Sequence, residues 1–256
     1  MRFLIGYETD EGLRKKVNQD ALLINTATST YGRIGLFIVC DGMGGLSNGE
    51  LASATVIREM KKWFEGEIPK IEFNKVDKNK VYELVNEKIL ALNNKILNYG
   101  LGKDEKLGTT LSMLLIVNDK YYTFQVGDSR IYKIDKYINQ ITVDQSLVQR
   151  EIERGNITEE EALNHPKRNV LLQCIGAKSK VEVEMKFGEV KEGQVFMLCS
   201  DGFYKKINKE ELGRVLSSDM LNSIDEINTS IKMLIDLAKE RKEKDNITSI
   251  VVKILS

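Results

Sequence analysis

Five aspartates, Asp20, Asp41, Asp128, Asp201 and Asp245, stand where apolar runs end or begin, and no histidine or cysteine joins them as a candidate ligand. An all-oxygen donor set selects hard octahedral cations, Mg²⁺ or Mn²⁺, over zinc. Several carboxylates brought to one place repel strongly unless more than one divalent ion is bound, which points to two ions ~3.5–4 Å apart. Such a centre activates water for displacement at phosphorus. The clearest of the five is Asp41, where the apolar run Ile34 to Cys40 stops on an acid followed by Gly42, Met43, Gly44 and Gly45. Asp-Gly between apolar runs is most often a hairpin turn, and for this stretch alone that is the simpler reading. The construction recurs, however, where Val195 to Ser200 runs into Asp201-Gly202, and neither pair is followed directly by a second strand.

The elements that must position these acids follow from periodicity. Ile34 to Cys40, an unbroken apolar run too short for a helix, reads as a strand buried on both faces with its carboxylate at the C-terminal tip. Further strands are expected over Arg2 to Thr9, Asp20 to Thr26, Leu111 to Val117, Tyr121 to Val126, Ile131 to Ile134, Ile138 to Thr142, Val181 to Val190 and Gln194 to Ser200. Ser47-Asn48-Gly49-Glu50 offers a capping box, after which Ala52, Val56, Met60 and Trp63 recur at helical spacing. A second helix runs from about Lys78 to Tyr99, and others over Asn208 to Leu216 and Ser223 to Lys239. Asp245 opens the last strand rather than closing one. In an antiparallel sheet the start of a strand lies beside the end of its neighbour, so Asp245 can meet Asp41 and Asp201 at one edge. Elements interleave without βαβ regularity, which favours two antiparallel sheets covered by helices over a doubly wound parallel sheet.

The chain has 256 residues, and no Pro-, Gly- or Ser-rich linker divides it, so a single domain over 1–256 is expected. Lys+Arg 38 against Asp+Glu 38 leaves no electrostatic footprint for nucleic acid or an anionic membrane. Without a signal-like or membrane-spanning segment, a soluble cytoplasmic monomer is expected. Cys40, Cys174 and Cys199 are far apart and set in apolar runs, as reduced core residues would be. The stretch 144–176 reads as an excursion of short helices between strands, with a glycine stop at Gly155, a new start at Thr158 and a break at His165-Pro166. His165 reads there as a local structural or hydrogen-bonding residue, with a substrate-side role as the alternative. Near Asp20, the cations Arg14, Lys15 and Lys16 read either as a solvated loop or as a phosphate contact.

Asn18-Gln19-Asp20, Asp41-Gly42-Met43-Gly44-Gly45, Gly108-Thr109-Thr110, Gly127-Asp128-Ser129-Arg130, Ser200-Asp201-Gly202 and Asp245-Asn246-Ile247-Thr248 occur in this order along nearly the whole chain. Each is weak alone; together they resemble the bacterial metal-dependent Ser/Thr protein phosphatases of the PPM, or type 2C, family. The resemblance implies an α+β fold, an α-β-β-α sandwich of two antiparallel sheets flanked by helices. It implies that Asp41 bridges two Mn²⁺ or Mg²⁺ ions, that Gly42 offers its carbonyl, and that Asp201 and Asp245 hold the second ion. Asp20 would act through water, Asp128 with Asp201 would hold a possible third ion, and 144–176 would be the flap beside the site. Phosphoserine and phosphothreonine in substrates of a Ser/Thr kinase would be hydrolysed by direct attack of metal-activated water, with Asp41, Asp201 and Asp245 carrying catalysis.

Three positions depart from the family pattern. Lys15 stands where the family has a phosphate-binding arginine, with Arg14 one residue out of register. Met43 replaces the histidine of eukaryotic members, as it does in bacterial relatives, and Gln145 replaces a histidine at the start of the flap. Two rival readings are a phosphoprotein-binding pseudophosphatase, for which Lys15 argues and the complete set of aspartates argues against, and a two-metal phosphodiesterase or nuclease. The latter calls for histidine ligands and a basic groove, neither of which the sequence shows.

Overall fold

The structure, a computed structural model, describes residues 1–29, 32–43 and 48–256. Its strands are β1 (Arg2–Asp10), β2 (Asp20–Ser29), β3 (Gly32–Asp41), β4 (Leu111–Val117), β5 (Lys120–Val126), β6 (Arg130–Ile134), β7 (Ile138–Gln140), β8 (Glu184–Glu189), β9 (Val195–Cys199) and β10 (Ile247–Leu255). The helices are α1 (Gly49–Gly66), α2 (Lys78–Lys103), α3 (Leu147–Glu153), α4 (Glu159–Leu163), α5 (Asp201–Tyr204), α6 (Lys209–Val215) and α7 (Ile224–Glu240). Two five-stranded sheets form, ordered β1-β10-β9-β6-β7 and β2-β3-β4-β5-β8. Every pairing is antiparallel.

Period-two alternation divides the apolar residues among three cores and so stacks the layers. In β3, Leu36, Ile38 and Cys40 pack toward Val56, Met60, Val85 and Ile89 of α1 and α2. Phe37 and Val39, on the opposite face, meet Phe196 and Leu198 of β9 and Ile250 and Val252 of β10, forming the layer between the sheets. On the far side, Val195, Met197 and Val251 pack against Leu212 of α6 and Ile227, Ile231 and Leu234 of α7. Helix, sheet, sheet, helix is the expected α-β-β-α sandwich, and β3 is buried on both faces because it is covered by helices on one side and by the second sheet on the other.

Local signals explain most element ends. Asp77, Ser146, Thr158, Asn208 and Ser223 each accept a backbone N–H from the first turn of the helix they precede, and Thr158 and Asn208 do so within complete capping boxes. The expected box at the start of α1 is different. Ser47 lies outside the described residues, Asn48 has φ 54° and sends its amide to Glu105, and Glu50 accepts from Gln19 instead of capping. The strand expected from Val181 begins only at Glu184, because its partner β5 ends at Val126 and pairing stops at Gln125 with Glu184. Gly127, with φ 103°, turns the chain there toward the other sheet. Cys40 and Cys199 are buried and free as expected, whereas Cys174 is only half-buried. Among the described residues no helix is long and apolar enough to cross a membrane.

Candidate metal centre

Register pairs four of the five acids, two in each sheet, and stacking of the sheets brings the two pairs to one end of the layer between them. Asp20 opens β2 directly opposite Asp41, which closes β3. Asp41 has the parity of Phe37 and Val39, so it continues the inter-sheet face where the apolar residues stop. In the other sheet, β9 ends at Cys199 against Ser249 of β10, so Asp201 just beyond one strand and Asp245 just before the other lie at the same edge. This is the antiparallel geometry read from the sequence. Asp128 arrives from the β5–β6 turn, where the chain crosses between sheets.

Two glycines are required by close backbone approach. A Cβ on Gly42 would fall 2.5 Å from the Gly49 carbonyl oxygen and 2.6 Å from that of Gln19, and one on Gly202 would fall 2.2 Å from the carbonyl oxygen of Asn246. The repeated Asp-Gly pair is therefore a packing device that lets each acid sit against a neighbouring segment. Neither pair forms a hairpin.

Hydrogen bonds hold the acids in place. The Asp41 N–H donates to Thr110 Oγ1 at 2.9 Å, and the Asp41 carbonyl accepts from Thr109 Oγ1 and from the Thr110 N–H. Thr110 Oγ1 lies 2.7 Å from Ser129 Oγ, while Gln125 Nε2 donates to the carbonyls of Gly127 and Ser129. This buried network ties the strand of Asp41 to the turn of Asp128. Ser200, the residue before α5, does not cap that helix. It donates instead to Asp20 Oδ2 at 2.7 Å while accepting the Thr248 N–H at 3.0 Å. Asn246 is 2 % exposed; its Oδ1 accepts the Gln19 N–H at 3.0 Å and its Nδ2 donates to the Glu11 carbonyl at 2.9 Å. It thereby fastens the β1–β2 loop, which carries Lys15, beside Asp245.

The electrostatics of the cluster are unfavourable without cations. Burial, followed by the charges of neighbouring aspartates, raises Asp41 well above the usual carboxylate range and raises Asp20 and Asp128 each to about 7. For Asp20 the Ser200 and Thr248 hydrogen bonds oppose that rise, and for Asp128 the charges of Lys205 and Arg130 do. Like charges directly opposite across a strand pair, as at Asp20 and Asp41, are destabilising. Two lysines partly compensate. Lys15 Nζ lies 2.9 Å from Asp245 Oδ1, and Lys205 Nζ contacts Asp201 Oδ2. Burial alone would lower both lysines, but the hydrogen bonds and charges of the aspartates outweigh it and raise them.

Among the described residues no three acid, histidine or cysteine side chains stand drawn into a closed coordination shell. Two of the carboxylates are turned onto lysines, and the strand-paired acids repel. The donor set nevertheless fits divalent cations. Asp20 Oδ1 and Asp201 Oδ1 are enclosed and accept no hydrogen bond, the ligands are all oxygen, and the excess negative charge is buried.

A linkage prediction follows. An acid whose folded-state value lies above its ordinary 3.8 binds more protons folded than unfolded, so its contribution to stability is lost as pH rises. Thermal melting of the chelated protein should show this contribution decreasing between pH ~4 and ~7, with added Mn²⁺ restoring most at the upper end of that range. Mn²⁺ stabilisation independent of pH would contradict it.

The segment 144–176 starts and ends on the same framework. Arg130 donates Nε and Nη2 to Asp144, with its guanidinium stacked 3.6 Å from the ring centroid of Tyr204, and the Tyr204 hydroxyl donates to the Asp128 carbonyl. Gln145 exchanges with Gly127 in both directions: its N–H donates to the Gly127 carbonyl and its Oε1 accepts the Gly127 N–H, each at 2.9 Å. The glutamine thus anchors the start of this segment to the Asp128 turn. The far end is held by Ile175 paired with Thr109 and by the Gly176 N–H donated to Asn93 on α2. His165 Nδ1 accepts the Lys167 N–H, a local role as expected.

A sandwich with an all-carboxylate edge of this kind defines a cation-dependent hydrolase scaffold. Comparison with known proteins names the family: that of protein phosphatase 2C matches residues 13–238. A protein phosphatase 2C-type chain of Streptococcus pyogenes is 34% identical over 251 residues, covering 97% of this chain and 96% of the relative. The crystal structure of the serine/threonine phosphatase Stp1 from Staphylococcus aureus superposes with TM-score 0.86 at 29% identity, over 100% of this chain and 96% of that one. The catalytic domain of the serine threonine protein phosphatase PstP, solved with 2 manganese ions, matches with TM-score 0.79 at 26% identity over 100% of both chains. The chain belongs to the protein phosphatase 2C family.

Proposed function

We propose that this protein is a metal-dependent protein phosphatase that removes phosphate from phosphoserine and phosphothreonine. The observation that carries the reading is the set of five aspartates, four of them converging at one edge between the sheets, with enclosed, unpartnered oxygens on Asp20 and Asp201. Asp41, the Gly42 carbonyl, Asp201 and Asp245 hold two Mn²⁺ or Mg²⁺ ions. Bound there, the ions supply the positive charge that acidifies a water and neutralises the phosphoryl oxygens. Asp20 keeps Oδ2 on Ser200 and turns Oδ1 to orient water. Asp128 closes the side of the site facing the flap. Burial pushes the Cys40 and Cys199 thiols up, so neither is a cysteine nucleophile, and direct attack of water needs no covalent enzyme intermediate.

One catalytic domain spans 1–256, the flap at 144–176 shapes access for phosphorylated proteins, and the chain works as a cytoplasmic monomer opposing a Ser/Thr kinase. It contacts neither nucleic acid nor membrane.

Lys15 binds the substrate phosphate. It is the cation of the β1–β2 loop aimed at the cluster, while Arg14 and Lys16 are exposed. One ammonium gives charge without the bidentate alignment of a guanidinium. A charge-assisted hydrogen bond is worth roughly 1.5–3 kcal/mol, so Lys15→Ala should cost on the order of ten- to a hundredfold in kcat/KM, mostly through KM. Arg14→Ala should do little and Lys15→Arg should lower KM. Steady-state kinetics on a phosphothreonine peptide checks this, and a damaging Arg14→Ala beside a silent Lys15→Ala would transfer the role to Arg14. The experiment that tests the function itself is release of phosphate from that peptide with Mn²⁺ and with chelator.

A further inference from the structure

The side of the cluster formed by Asp128 and Asp201, where the family resemblance implies a third ion, already holds a cation belonging to the chain. Lys205, the residue that caps the C-terminal end of α5, stands four residues after Asp201, one helical turn away, so acid and base lie on the same face of that turn. Its Nζ contacts Asp201 Oδ2 and also donates to Asn169 Oδ1 of the flap at 3.1 Å. The side chain is three-quarters buried, and its charge acts on Asp128, itself 6 % exposed. A buried ammonium with two oxygen partners does not leave readily, because removing it takes the buried counter-charge from Asp201 and leaves Asp128 facing Arg130 without Lys205. The helix is short and rigidly placed: the Lys205 N–H donates to the Asp201 carbonyl, Gly202 is packed on the Asn246 backbone, and the neighbouring Tyr204 is fixed by Arg130 and the Asp128 carbonyl.

We propose that the Lys205 ammonium is a tethered third cation, which takes the place of a third divalent ion between Asp128 and Asp201 and links that position to the flap through Asn169. This rests on the two-ion reading above. A divalent ion arriving there would meet a fixed positive charge and one fewer free carboxylate oxygen, and Coulomb repulsion between a monovalent and a divalent cation at contact distances disfavours sharing the position. Lys205 is a positioning residue: it orients Asp201 and Asn169 and does not touch phosphorus.

The test is equilibrium Mn²⁺ binding to the full chain, counted by paramagnetic resonance of free Mn²⁺. The wild-type protein should bind two ions with no weaker third site at millimolar Mn²⁺. Lys205→Met, which keeps the length and removes the charge, should bind three, and Lys205→Asn should do the same with a shorter oxygen-bearing side chain. Limited proteolysis in the flap should be faster in both variants than in wild type, since Asn169 loses its partner. A third ion on the wild-type chain overturns the proposal while leaving the two-ion reading intact. So does a count that stays at two in either variant with an unchanged melting temperature. No bound Mn²⁺ on the wild-type chain overturns both. If a variant fails to fold, the wild-type count still decides.

Discussion

Asp41→Ala and Asp201→Ala should each lose more than ~100-fold in kcat with a phosphothreonine peptide and not recover at higher Mn²⁺, because changes even to residues behind a metal ligand cost 10–100-fold. The fold should survive both changes. Burial and the neighbouring acids raise Asp41 well above its ordinary value, so its carboxylate is a cost to the metal-free fold, and the alanine variant removes that repulsion. Circular dichroism and melting of the chelated proteins should therefore show Asp41→Ala melting no lower than wild type, while Mn²⁺ raises the melting temperature of wild type alone. A variant that turns over normally at the Mn²⁺ concentration that suits wild type would remove that aspartate from the centre.

Gly202→Ala should be nearly as damaging without touching a charged group. The added methyl would fall 2.2 Å from the Asn246 carbonyl oxygen and 3.5 Å from the Asp245 side chain. Backbone must move, and both Asp201 and Asp245 move with it. A displacement of about 1 Å at a catalytic group costs on the order of 100-fold, so weaker Mn²⁺ binding and a comparable fall in kcat/KM are expected together. The same substitution at Gly66 or Gly213, where an added Cβ meets nothing within 4 Å, supplies the control. Unchanged Mn²⁺ affinity in Gly202→Ala would show that the Asp-Gly pair is not a packing device.

Much of this architecture was legible in the sequence, for reasons that differ by element. The β3 run was readable as a two-faced buried strand because seven apolar residues before an acid leave no polar face, and the sandwich supplies both of its covers. The meeting of Asp201 and Asp245 followed from antiparallel register within one sheet, whereas Asp41 belongs to the other sheet and reaches them because the two sheets stack, a relation that register alone does not contain. Asn246, Ser200 and Thr110 were visible only as members of motifs. Their work is to hold other residues, and a hydrogen bond between positions 227 residues apart, as from the Gln19 N–H to Asn246, leaves no periodic trace. Lys205 was missed because α5 is four residues long, too short to show helical spacing, although an i,i+4 acid–base pair was there to be read once a helix was suspected. Gln145 replaces the family histidine and yet anchors the start of the 144–176 segment, since its amide supplies both an acceptor for Gly127 and a donor for the Glu182 carbonyl.

Hydrolysis of phosphoprotein substrates through divalent ions held by these aspartates is decided by phosphate release from a phosphothreonine peptide by the full chain with Mn²⁺, after exhaustive chelation, and after Mn²⁺ is restored. Turnover that disappears with chelation and returns with Mn²⁺ is the predicted result. Turnover that persists through chelation would contradict the claim, and so would tight binding of the peptide with no phosphate release at any Mn²⁺ concentration, the behaviour of a pseudophosphatase.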